Sequence, residues 1–105
     1  MRFFLADILT NFGKLNEFFK LIQYVILNYL RFIFLIQETK KGEYIINQNG
    51  RFSHSHSYIA KISQLNNLII GRYQGIKIRK ENNKWLDGKI FTVMKNQQIF
   101  MPLYL

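Results

Sequence analysis

Cysteine is absent from this chain of 105 residues. Disulfide bridges, thiolate metal sites and cysteine nucleophiles are therefore excluded. Proline occurs once and glycine six times, and no Gly/Ser/Pro linker divides the chain. No internal repeat occurs either. Acidic residues are scarce, six against 15 lysines and arginines, which leaves a net charge of +9. A long uncharged hydrophobic run is missing too. Within the most apolar segment, residues 15–38, the run from Leu21 to Leu30 contains Gln23 and Asn28 and is bracketed by Lys20 and Arg31. A membrane span needs about 20 apolar residues, and a charge at mid-membrane costs roughly 2.5–3.5 kcal/mol. The segment reads as a buried helix, and no membrane partner is expected.

What is present points to a polyanion partner, a nucleic acid or an anionic surface. The charge is uneven: +2 over residues 1–48 and +7 over residues 49–105. The second half is the expected binding half. The hydrophobic share of 49% suits a folded domain rather than a disordered tail. Phe, Tyr, Met, Ile, Asn and Lys, whose codons are AT-rich, make up more than half of the chain. Such usage suggests an AT-rich organelle genome. No Arg- and Ser-rich presequence opens the chain, so synthesis inside the organelle is expected.

Apolar positions 4, 5, 8, 9 and 12 predict a helix over residues 3–12 that stops at Gly13. A second helix is expected from Asn28 as N-cap to Lys41, with Gly42 as its C-cap and Lys40 and Lys41 at its negative end. Glu43 to Asn47 reads as a strand, and Asn49-Gly50 as a hairpin turn. Arg51 to Ile62 alternates loosely, as a strand does. Residues 63–67 suggest one helical turn or a loop. Leu68-Ile69-Ile70 has the composition of a buried strand. Gly71 to Gly75 reads as a loop, Ile76 to Arg79 as extended chain, Trp85 to Gly88 as a turn, and Lys89 to Met94 as a core strand. Residues 99–105 suggest one more strand. The fold class is α+β: two small α/β subdomains, 1–50 and 51–105, with a mostly β second part and a hinge near Gln48 to Arg51.

Little points to catalysis. Six carboxylates form no recognisable acid/base pair, and no nucleophile elbow, phosphate loop or dinucleotide fingerprint occurs. His54 and His56 would share one face of a strand, yet no third or fourth metal ligand is in view. They are expected to face solvent or a partner. No metal, cofactor, small-molecule substrate or enzymatic activity is expected. The informative cluster is Arg72, Lys77, Arg79, Lys80, Lys84 and Lys89, interleaved with Tyr73 and Trp85. Lysine and arginine neutralise phosphates, and exposed aromatics stack on unpaired bases. Trp85 alone fits a core position equally well.

Several motifs resemble, in order, those of the small-subunit ribosomal protein eight family. Ala6-Asp7-Ile8-Leu9-Thr10 is similar to the family's first-helix motif. Gly42-Glu43-Tyr44-Ile45 is similar to the end of its second helix, with one extra residue. Gly71-Arg72-Tyr73-Gln74-Gly75-Ile76, then Glu81, then Asp87-Gly88-Lys89-Ile90-Phe91 follow its C-terminal spacing. The family's Ser-Thr-Ser hydroxyls are replaced by Gly71, Arg72 and Tyr73. The stretch from 50 to 66 is shorter than in the family, and residues 95–105 run past its usual end. Gly88-x-x-Phe91-x-Val93 with Pro102-x-Tyr104 is similar to part of small-subunit ribosomal protein nineteen, without that family's Gly-His-Lys tail. The first resemblance implies a mitochondrial ribosomal protein that binds small-subunit ribosomal RNA beside neighbouring ribosomal proteins and aids its folding. Phosphate contacts would fall to Arg72, Lys77, Arg79 and Lys80, with Lys84 beside them. Gly75 would let backbone approach RNA closely. Tyr73 or Gln74 would touch sugar or base edges, and the first-helix motif adds Thr10 and Lys14. A subunit of an organelle membrane complex and a free single-strand RNA binder are the competing expectations.

Overall fold

The computed structural model describes residues 2–6, 8–26 and 30–96. The chain runs β1 (Arg2–Ala6), a 3-10 turn (Leu9–Asn11), α1 (Asn16–Val25), β2 (Leu30–Glu38), β3 (Tyr44–Ile46), β4 (Phe52–His54), α2 (His56–Leu65), β5 (Leu68–Glu81) and β6 (Lys84–Lys95). The α+β class expected from the sequence is the class observed. All six strands form one mixed sheet. It crosses position 50, where the sequence suggests a division, because β3 and β4 pair with each other on either side of it.

β2 organises the sheet. β6 runs antiparallel along one edge of it, from Arg31↔Met94 to Gln37↔Gly88. On the other edge, β1 pairs in parallel with Leu30–Phe34 and β4 with Gln37–Glu38. The β1–α1–β2 unit is thus a parallel crossover through a helix. Both helices expected from the apolar runs are corrected here. Residues 2–6 and 30–38 are strands, and the helix lies between them at 16–25. A central strand shows a near-continuous apolar run, Leu-Arg-Phe-Ile-Phe-Leu-Ile, which periodicity alone cannot separate from a buried helix. Its aromatic and β-branched content then favours the strand.

Of the strand expected over 51–62, only Phe52–His54 is present, and α2 replaces the rest. Ser55 caps it, its side chain accepting from the Tyr58 N–H at 3.1 Å, and Tyr58, Ile59 and Ile62 form its buried face. That spacing is helical. α1 has no side-chain cap. A tertiary contact replaces it, since the Tyr58 hydroxyl accepts from the Leu15 N–H at 2.9 Å. The helices cover one face of the sheet. There Phe19 and Ile22 of α1, with Ile59 and Ile62 of α2, meet Phe34 and Ile36 of β2 and Phe91 and Val93 of β6. Phe34 is the hub, with ring centroids about 6 Å from Phe18, Phe19, Phe32 and Phe91. No described helix is long and apolar enough to cross a membrane.

The β5–β6 hairpin is the longest element pair. It closes on Asn82-Asn83, both at positive φ (52° and 62°), the pattern of a type I′ turn. The expected loop at Gly71–Gly75 is instead a bulge inside β5, with a register shift between Gly71 and Gln74. The expected turn at Trp85–Gly88 is part of β6. Expected strands at 43–47, 68–70 and 89–94 and the Asn49-Gly50 turn are present. The strand expected at 99–105 lies outside the described residues. Gly88 is buried where β6 pairs closely with β2. A Cβ there would overlap Ile78 Cδ1 and the Ile36 carbonyl oxygen. Because the backbone atom cannot yield, Gly88→Ala is expected to cost about 3 kcal/mol or more. Gly75→Ala, whose Cβ meets only Lys89 Nζ at 3.4 Å, should cost far less. Denaturant midpoints of the two variants check the contrast, and equal losses would refute it.

Candidate nucleic-acid interface

Eight of the expected contact residues lie on one hairpin. Arg72, Tyr73, Gln74, Gly75, Lys77, Arg79 and Lys80 are on β5, and Lys84 begins β6. The positive φ of Arg72 (46°) sits at the bulge, and bulges re-aim side chains. Arg72 is exposed there. A Cβ on neighbouring Gly71 would meet Thr92 Oγ1 at 2.8 Å, so a larger residue there would have to turn the Thr92 side chain. Cross-strand partners share a face. Gly75↔Lys89, Lys77↔Asp87 and Lys80↔Trp85 therefore continue the helix-bearing face outward along the hairpin. The Lys80 ammonium lies 5.4 Å from the centre of the Trp85 ring. Trp85 is 53% exposed, so the solvent-facing reading holds over the core one.

The charges differ in availability. Arg72, Lys80 and Lys84 are exposed and have no ion-pair partner among the described residues. Lys77 pairs with Asp87 on the surface. Exposed pairs are worth about 0–1 kcal/mol, so a phosphate can take the Asp87 position. Arg79 is drawn inward. Its Nε donates to Glu81 at 2.9 Å, and its Nη2 is buried without a partner. Its expected phosphate role is weakened by that pairing. Gln74 and Gly75 are exposed as the expectation requires.

Tyr73 is half-buried. Its ring stacks on His56 at 4.0 Å, and its hydroxyl donates to Glu38 at 3.2 Å. Burial first, then the Glu38 carboxylate, hold its pKa well above the ordinary phenol value. Tyr73 thus keeps its proton and holds β5 against α2 and β2. Its ring is engaged rather than presented to a base.

Thr10 is corrected. It is 1% exposed, in the 3-10 turn, with Arg51 Nη1 at 3.5 Å from its hydroxyl, and so lies below any contact surface. Lys14 is exposed in the segment before α1. Sequence reading passed over Lys40, which lines a 510 Å³ cleft with Lys77, Lys89, Glu38 and Asp87. No local signal ties it to them. The β2–β6–β5 pairing does.

The expected solvent-facing histidine pair is also corrected. His56 is exposed at the start of α2, whereas His54 is fully buried on β4. His54 Nε2 lies 2.8 Å from the Phe12 carbonyl and 3.0 Å from that of Gly13, which fixes the proton on Nε2. Nδ1 is left buried without a partner. Desolvation lowers the His54 pKa below 6.5, and the two carbonyls only partly oppose it. Below pH 6.5 the unfolded chain takes up a proton that the folded chain refuses. Stability present above that pH should therefore fall as pH drops below 6.5, by at most about 1.4 kcal/mol per unit. Urea unfolding of wild type, His54→Gln and His56→Gln between pH 7.5 and 5.5 checks this. A slope that persists in His54→Gln would refute the assignment.

No protein-family model matches the chain, and no curated protein matches it.

Proposed function

We propose that the chain is a non-catalytic RNA-binding protein whose β5–β6 hairpin lies against the phosphates and unpaired bases of an RNA. We place it in the small ribosomal subunit of a mitochondrion, where it would hold and help fold small-subunit ribosomal RNA beside neighbouring ribosomal proteins. The observation that carries the RNA reading is Trp85, a large aromatic left half-exposed between lysines on a projecting hairpin. Tryptophan is usually mostly buried, and lysine–aromatic interleaving suits a single strand. The net charge of +9 agrees in sign. The ribosomal placement rests on the motif resemblance.

Trp85 is the only tryptophan, so its fluorescence reports on the hairpin directly. Single-stranded RNA should quench it. Trp85→Ala, followed by filter binding, should lose about 1–3 kcal/mol of affinity, the worth of one stacked base. Unchanged affinity would refute the hairpin as the binding element. Gradient sedimentation of an organelle lysate, with and without ribonuclease, tests the ribosomal placement. Ribonuclease-sensitive comigration with the small subunit supports it. Ribonuclease-indifferent migration with a membrane complex overturns it.

A further inference from the structure

Resting on the RNA reading, we propose that the cleft between the β3–β4 and β5–β6 hairpins receives one unpaired base of the bound RNA and reads its hydrogen-bonding edge. The cleft measures 350 Å³, within the range of about 300–1,000 Å³ of small-ligand sites. It opens on the sheet face opposite the helices, where Gln37, Ser53 and Leu86 form its floor. Asn47 Nδ2 donates to Gln37 Oε1 at 3.1 Å, to Ser53 Oγ at 2.9 Å and to the Arg51 carbonyl at 2.9 Å. These contacts fix the Gln37 amide with its oxygen toward Asn47. Its Nε2 is then a buried donor with no partner, in a side chain of a residue only 7% exposed. Such an orphan is costly, and an acceptor on a ligand would satisfy it.

The opposite wall supplies acceptors. Glu81 is touched across the cleft by Asn49 Nδ2 at only 3.4 and 3.5 Å, lengths of weak hydrogen bonds. An entering base would displace this contact. It would give a carbonyl or ring nitrogen to Gln37 Nε2 and an amino N–H to Glu81. Base edges carry both kinds of group. A phosphate carries acceptors only and would be repelled by Glu81, and a bare cation would leave the Gln37 donor unmet. Leu86 offers an apolar surface for the ring, and exposed Lys84 stands three residues from Glu81 for the adjoining phosphate.

The test uses the full chain and short ribo-homopolymers of the four bases at one salt concentration. The tightest and weakest should differ by about tenfold or more in Kd. Glu81→Ala and Gln37→Leu should each bring the four within about threefold of one another, and Gln37→Leu should leave the salt dependence unchanged. Should Gln37→Leu fail to fold, Glu81→Ala carries the test, because the Glu81 side chain is partly exposed at the end of β5. Four homopolymers bound equally by wild type, or a spread unaltered in Glu81→Ala, would overturn the base cleft and leave the RNA reading standing. Binding of none would overturn the RNA reading and this site with it.

Discussion

Phe34→Ala is expected to destabilise the protein by about 3–5 kcal/mol, the cost of emptying a fully buried phenylalanine site. A domain of this size holds only about 5–15 kcal/mol in all, so the variant should be barely folded. Phe34 lies at the centre of β2, is 1% exposed, and joins α1 to β6 through Phe19 and Phe91. Its loss opens a cavity that neither helix can fill without breaking contact with the sheet. The melting temperature should fall by roughly 12–20 °C. Leu21→Ala on the exposed side of α1 should stay within about 0.5 kcal/mol of wild type. Equal losses at the two positions would mean that the helices do not pack on the sheet as described.

RNA affinity is expected to fall about fiftyfold when monovalent salt rises from about 50 to about 200 mM. That figure follows from roughly four phosphate contacts, by Arg72, Lys77, Lys80 and Lys84, and a slope of about −0.7 per contact for single strands. Lys80→Ala should flatten the slope by about 0.7. Thr10→Val, which changes a buried side chain in the 3-10 turn, should leave the slope unaltered. Fluorescence titrations at four salt concentrations measure both. A salt-independent affinity would refute electrostatic binding by the hairpin. A slope unaltered by Lys80→Ala would move the contact surface elsewhere, Lys40 and the cleft it shares with Lys77 being the next place to look.

The two histidines show why part of the candidate site was hidden. Ser53-His54-Ser55-His56 alternates as a strand would, and so suggests one shared face. Ser55 instead ends β4 and caps α2, which turns the chain between them. His54 enters the core beside Tyr44 and Tyr58, while His56 stays outside. Thr10 was misplaced for a related reason. A short apolar run fits a helix face and a buried strand equally well, so the helix expected over 3–12 gave way to β1 and a 3-10 turn.

Composition and short-range chemistry by themselves determined the basic charge, the absence of disulfides, the α+β class, the Asn49-Gly50 turn, the strands at 68–70 and 89–94, and the grouping of Arg72 to Lys84. Each depends on residues close in the chain, where turn geometry and charge act locally. Tertiary structure alone decided that Leu30–Glu38 is the central strand, that β1 lies parallel to it, and that Tyr73 closes on Glu38. It also brought Lys40 to Lys77 and Lys89, and set Gln37 between two hairpins. Those outcomes depend on hydrogen-bonded partners 28 to 63 residues away in the chain, and no local pattern encodes which distant strand completes a backbone's hydrogen bonds.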